Sequence, residues 1–377
     1  MRKNMPHRGD VVIYSKNNYA DASDAHGNHE DVTLARMAER LAVLKGYEFA
    51  GEYDSKNAYR SAVFFVPQDT LVCEQARQLG IQREDQLFGG CVPYPFMATK
   101  SITHSLPGVA AAVPTGWTPS FSKAIAPAVL NGYAVFSVDD ARMAATELLE
   151  TTPVRIKSTL GVGGNGQIVV TTIQQLDAAL AQANPAELAA FGLVIEQNLE
   201  QVVTYSVGQV HVAGLLLSYY GTQRLTKNHR GKEVYGGSTL HVVRGNFAAL
   251  KKLDLQPAVS LAVEQAYRYD TAANTHFPHF KASRRNYDVA QGVDANGNQR
   301  SGVLEQSWRI GGASSAEIAA LEAFASDPEL IAVQVSSHEA YGTAAPPPHA
   351  TIYYQGRDPR VGDIVKYSVV DRYEYRT

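Results

Sequence analysis

The residues best suited to chemistry in this chain are Lys157 and the glycines that follow it. Val154-Arg155-Ile156-Lys157 is a β-branched run, Gly161, Gly163, Gly164 and Gly166 form a loop, and Gln167-Ile168-Val169-Val170 is a second β-branched run. Glycine lets main-chain N–H groups approach a phosphate, and the lysine adds a positive charge beside them. Gly161, Gly163 and Gly166 have the spacing G-x-G-x-x-G, but a dinucleotide fingerprint needs a helix straight after the glycines, and here a strand pattern follows. A Walker loop is excluded because no Gly-Lys-Ser/Thr follows. What remains is a hairpin whose tip is able to fold over phosphates, or an ordinary hairpin whose glycines serve only positive φ.

Other clusters carry less. Asp21, Asp24, His26, Asn28, His29, Glu30 and Asp31 crowd one segment, yet His-x-x-His-Glu is not a zinc-protease order and lacks a third ligand at a telling spacing. A helix cap at Asn28 with acids in the first turn accounts for most of it. Cys73 and Cys91 are the only cysteines; they form no disulfide framework and read as free thiols in a reducing compartment.

The elements that must position these residues follow from periodicity. The 377 residues are 45% hydrophobic, enough for two or three domains with sizeable cores, and the net charge of -3 argues against nucleic acid as a partner. No apolar stretch is long enough to span a bilayer, and a soluble cytoplasmic protein is expected. Strands at 11–14 and 61–66 flanking a helix at 32–45 predict a small parallel α/β layer. A Pro- and Gly-rich passage over 89–119 reads as a connection. Short helices follow at 121–130 and 138–149, the latter capped near Ser137, then the lysine strand, the glycine hairpin, a helix at 173–183 and a strand at 192–196. The donor-rich stretch 218–238 is left open between a solvated loop and groups facing a site, 316–325 reads as a helix, and 330–335, 350–354 and 364–370 read as strands.

The order of lysine strand, glycine loop and Val194-Ile195-Glu196-Gln197-Asn198-Leu199 resembles the ATP-grasp superfamily. The likeness is strong over about 120–315 and looser over the N-terminal layer. It implies an α/β (α+β) ATP-grasp fold with a Rossmann-like pre-grasp layer and a small C-terminal β extension. The implied divisions are 1–119 for the N-terminal domain and linker, 120–200 for the small subdomain with the glycine lid, 201–325 for the subdomain with the metal site, and 326–377 for the extension. Thr99-Lys100-Ser101-Ile102-Thr103-His104 and Tyr235-Gly236-Gly237-Ser238 further resemble an uncharacterised bacterial family of grasp-like proteins, DUF3182.

The resemblance also assigns roles. It implies ATP held by Lys157 and the loop, with the glycine lid ordered by nucleotide, and adenine at Glu196, Gln197, Asn198 and Leu199. Asn286-Tyr287-Asp288 and Val303-Leu304-Glu305-Gln306-Ser307-Trp308-Arg309 resemble the paired metal-binding strands, and the turn residues 294–298 predict a hairpin joining Asp288 to Glu305. Asp288, Glu305 and Ser307 would hold Mg²⁺, Ser307 standing where the family carries asparagine. Arg309 would steady the transferring phosphoryl group. A second phosphate lysine is either Lys100 or Lys123, Glu200 is the nearest acid for the ribose, and Arg224 and Lys227 are candidates for the acyl acceptor. The implied activity joins a small-molecule carboxylate to an amine through an acyl phosphate. Phosphotransfer alone, or a nucleotide-binding regulatory protein without turnover, are the alternatives. A homodimer is left open.

Overall fold

A computed structural model describes residues 8–15, 28–108, 111–160 and 166–375. The N-terminal layer is a parallel sheet with Asp10–Tyr14 between Glu48–Glu52 and Val63–Pro67. Asp10–Tyr14 is buried throughout because both its faces are covered. Val11 and Ile13 pack on Leu34, Met37 and Leu41 of the helix Asn28–Lys45, while Val12 and Tyr14 pack on Ile81 and Leu87. The strand Glu48–Glu52 is the addition to the expected layer. It lies at the sheet edge and Phe49 is its only large apolar residue, so it lacked a strand signature.

A four-stranded antiparallel sheet carries the lysine, in the order Gly132–Val135, Leu193–Gln197, Val154–Ser158, Gln167–Val170. Val138–Leu149 and Ile173–Leu180 cover it through Ala141, Ala144, Leu148, Leu176 and Leu180. Ser137 caps the first of these helices by accepting from the Asp140 N–H, and Thr172 caps the second by accepting from Gln175. Val154–Ser158 and Gln167–Val170 pair directly, and the Ser158 N–H donates to the Gly166 carbonyl at 2.9 Å. The glycine segment is therefore a hairpin connection, as expected, though Gly161, Gly163 and Gly164 themselves lie outside the described residues.

The largest sheet has eight antiparallel strands in the order Gln299–Ser307, Arg284–Val293, Glu200–Val212, Leu215–Lys227, Glu233–Arg244, Leu330–Tyr341, Gly362–Tyr375, Thr351–Asp358. The helix Pro257–His276 and Trp308 belong to one of its cores, and the helices Ser314–Ser326 and Asn28–Lys45 to another. The segment 218–238 is strand over 218–227 and 233–238, and Gln223, Leu225, Tyr235 and Ser238 from it line one cavity. The last three strands are the expected C-terminal β extension; they lengthen this sheet at its edge, and Tyr353 packs into the same core as the N-terminal helix. The passage 89–119 is no bare connection, since Gly90–Val92 pairs with both Leu71–Val72 and Lys281–Ala282. A Cβ on Gly90 would sit 2.9 Å from the Lys281 carbonyl, so only glycine permits that approach.

Candidate active site

One cavity of about 1410 Å³ opens between the small sheet, the large sheet and the start of the N-terminal helix. Lys100, Lys157, Glu196, Gln197, Leu199, Asp288, Glu305, Ser307 and Arg309 all line it.

Lys157 reaches it from the strand Val154–Ser158 and forms an ion pair with Glu196 on the adjacent strand, both side chains almost fully buried. His104 Nε2 lies 3.1 Å from the other Glu196 oxygen. Burial opposes ionisation of Glu196, but the Lys157 ammonium and His104 outweigh it and hold the carboxyl down at about 2. The carboxylate expected at the adenine hinge is thus committed to the lysine. The hinge N–H groups of Gln197 and Asn198 donate to the Asn131 and Pro153 carbonyls, both at 2.9 Å. Asn198 does not line the cavity; its Oδ1 accepts from Arg155 Nη2 at 2.6 Å, and Arg155 also donates to Gln167, tying the hairpin to the hinge.

Lys100 opens the 3-10 turn Lys100–Thr103 and is 6% exposed, with its Nζ 2.9 Å from Glu305 Oε2. Gln306, on the opposite face of the strand from Glu305, donates to the Met97 and Thr99 carbonyls and clamps that turn in place. Of the two competing lysines, Lys100 is therefore in the cavity. Lys123 is exposed on the helix Pro119–Ile125 and does not line it.

Asp288 and Glu305 stand directly opposite each other in the hairpin, as the turn residues implied. Gly297 has φ +81 and donates its N–H to the Asp294 carbonyl at 3.0 Å. Asn286 Nδ2 donates to Asp288 Oδ1 at 2.8 Å. Burial, then the neighbouring Glu305 charge, push Asp288 up to about 6, while Glu305, although also desolvated, is held below its usual range by Lys100, Lys157 and Arg309. Among the described residues no three His, Cys, Asp or Glu side chains form a complete metal cage. Mg²⁺ keeps most of its ligands as water and phosphate oxygen and takes one or two carboxylates from protein, so this donor pair fits it.

The sign of a stability effect follows for Asp288. Its native carboxyl keeps a proton up to about pH 6, against an ordinary value of 3.8, so the native state binds more protons and stability falls as pH rises across that interval. At neutral pH the cost is about 1–3 kcal/mol, given 1.36 kcal/mol per unit and partial solvation. Asp288→Asn is expected to raise the melting temperature of the ligand-free protein at pH 7.5 and to leave it unchanged at pH 4; equal melting at both values would refute this.

Ser307 lines the cavity, but its Oγ accepts from Arg284 Nη1 at 2.9 Å. Arg284 also donates to the Arg309 carbonyl at 2.6 Å and is ion-paired at 2.9 Å with Glu317 on Ser314–Ser326, both side chains fully buried. That network anchors the chain between Ser307 and Arg309, and leaves the Ser307 hydroxyl committed to a cation. Arg309 faces the cavity with its Nε 3.7 Å from Asp69 Oδ1.

The remaining candidates are not brought together. Glu200 is exposed and outside the cavity; Val202, Val203 and Thr204 line that part. Lys227 is exposed at a strand end. Arg224 turns its guanidinium to Thr239, the Ser337 carbonyl at 2.7 Å and His338 Nδ1 at 3.2 Å, so it braces two strands rather than meeting the cavity. The neighbouring strand Glu233–Arg244 is bulged at Gly236, and Gln223 and Leu225, which alternate with Arg224, line the cavity instead. Gly237 has φ +132, and a Cβ there would collide with the Ser337 carbonyl, which accounts for the paired glycines of residues 235–238. Sequence reasoning missed Arg284, whose side chain sits at a strand position with no spacing signal, and quoted Arg155 and Asn286 only as members of their strands. His104 stood in a quoted phrase without a role.

No helix among the described residues is long and apolar enough to cross a membrane. No curated protein matches the chain. Solved structures do. N5-carboxyaminoimidazole synthetase from Staphylococcus aureus complexed with ADP superposes with a TM-score of 0.53 at 13% identity, covering 98% of this chain and 94% of that one. The biotin carboxylase domain of the Hydrogenobacter thermophilus 2-oxoglutarate carboxylase, in complex with MgADP, ADP and bicarbonate, gives 0.51 at 13% identity over 98% and 91%. The fold is that of the ATP-grasp superfamily. A family model described as "Protein of unknown function (DUF3182)" matches residues 18–368, and the chain belongs to that family.

Proposed function

We propose that the protein is an ATP-dependent ligase that joins a small-molecule carboxylate to an amine, releasing ADP and phosphate. The observation that carries this reading is the convergence of Lys100, Lys157, Asp288, Glu305 and Arg309 on one cavity beside the hinge strand. Leu130, Leu199, Ala290 and Leu304 form an apolar cluster that suits a flat base, with the two lysines beyond it for the phosphates. Mg²⁺, when bound by Asp288 and Glu305, would offset the charge of the phosphate oxygens. Because the Ser307 hydroxyl is held by Arg284, this reading favours a single protein-bound metal.

In the reaction the substrate carboxylate attacks the γ-phosphorus, the bond to the ADP oxygen breaks, and an acyl phosphate forms. The amine then attacks the acyl carbon, loses a proton and expels phosphate. Lys100, Lys157 and Arg309 act by position and charge, and no side-chain nucleophile is needed.

Pooled carboxylates and amines with Mg-ATP are expected to release ADP and phosphate only when both pools are present. Tight ATP binding without release in any pool would favour a regulatory protein; release with carboxylates alone and a phosphorylated product would favour phosphotransfer. Lys100→Ala is expected to weaken ATP binding by tenfold or more, whereas Lys123→Ala and Lys227→Ala stay within about twofold, since one buried charge-assisted contact is worth about 1.5–3 kcal/mol. Calorimetric titration checks all three.

A further inference from the structure

Cys73 and Cys91 lie with their Sγ atoms 3.9 Å apart. The small ladder makes the contact: Cys91 on Gly90–Val92 stands opposite Leu71, and Cys73 directly follows Leu71–Val72. Lys281 pairs with Cys91 from the other side. The His279 carbonyl is 3.7 Å from Cys73 Sγ and 3.9 Å from Cys91 Sγ. Cys73 is half-buried and Cys91 buried, so one thiol meets solvent and the other stands behind it in contact.

The two thiols differ in acidity. The contact with the Cys91 sulfur, with Lys281 nearby, brings Cys73 down to about 7 against the effect of its burial. The same contact, with burial, raises Cys91. A solvent-reached thiolate with a resolving thiol at its back is the arrangement of redox-sensing cysteines in reducing compartments.

We propose that Cys73 and Cys91 form a peroxide-responsive modification site that closes reversibly to an intramolecular disulfide. The Cys73 thiolate attacks one oxygen of hydrogen peroxide; an S–O bond forms, the O–O bond breaks, and the leaving hydroxide takes up a proton. The Cys91 sulfur then gives up its proton and displaces the hydroxyl of the Cys73 sulfenic acid, forming the S–S bond and a second water. Two thiols lose two electrons and two protons, and one peroxide becomes two waters.

The position gives the modification a route to the cavity. Leu71–Val72 continues from Asp69 and Thr70, which line it, and Asp69 faces Arg309. Gly90 packs so closely on Trp308 that a Cβ there would lie 3.1 Å from the Trp308 Cβ. Closing the sulfurs from 3.9 Å to a bond of about 2.05 Å draws on the segment that carries Asp69, the partner of Arg309, and on the strand that packs against Trp308.

The test uses the reduced full chain and a small excess of hydrogen peroxide, and needs no nucleotide. Both thiols are expected to become untitratable, with the mass lower by two hydrogen atoms. Peptides containing Cys73 and Cys91 should be linked, the chain should stay monomeric on a non-reducing gel, and dithiothreitol should restore both thiols. In Cys91→Ser the sulfenic acid at Cys73 is expected to persist and to be trapped by dimedone; in Cys73→Ser, Cys91 stays reduced. The proposal is overturned if the wild-type chain keeps two free thiols, if its bridge forms only between chains, or if it accumulates dimedone adduct as Cys91→Ser does.

Discussion

Lys157→Ala is expected to cost about 3–5 kcal/mol of stability and to abolish nucleotide binding. The ammonium and the Glu196 carboxylate are buried together, with side-chain exposures of 4% and 2%. Removing one member of a buried pair leaves an uncompensated charge, here a carboxylate with only His104 beside it. The pH dependence has a definite sign. Glu196 is depressed from 4.5 to about 2, so its own contribution is fully present above pH 4.5 and is lost as pH falls toward 2. Urea unfolding checks the cost. Lys157→Met with Glu196→Gln removes both charges, and should recover most of the stability while nucleotide binding stays lost. A double variant as unstable as Lys157→Ala, or one that regained nucleotide binding, would contradict this.

Glu305→Gln is the second large effect: ADP release is expected to fall by about a hundredfold or more, with a change in stability under about 1 kcal/mol. The large loss follows from removing one of two acids placed to hold Mg²⁺ against phosphate oxygens. The small stability change follows because Glu305 is about a third exposed and its bond to Lys100 is partly solvated. A magnesium titration of ADP release checks this, with the half-saturating concentration expected to rise. Wild-type release at low magnesium would remove Glu305 from the metal site.

The parts of the site that were legible are those with local signals. Lys157 ends a β-branched run before glycines, and the turn chemistry of residues 294–298 specified the hairpin that faces Asp288 with Glu305. Lys100 could not be chosen over Lys123 because its burial depends on Gln306, more than two hundred residues away in sequence, gripping the turn that carries it. Glu196 was found, but its partner was not, since Lys157 meets it only through sheet register. The stretch 218–238 stayed open between a loop and site-facing groups for a physical reason: a long strand whose one side is polar has the composition of a loop. Periodicity found the C-terminal strands, while the sheet they join is a matter of non-local pairing that no window of sequence contains.

The central claim is that this cavity binds Mg-ATP through Lys157 and the hinge strand. Calorimetric titration of ATP into the wild-type chain and into Lys157→Met/Glu196→Gln, with and without magnesium, tests it most directly. The account predicts magnesium-dependent binding to the wild type and a loss of at least a hundredfold in the folded double variant. Equal affinity in the two chains, or no ATP binding by a folded wild type, would contradict it.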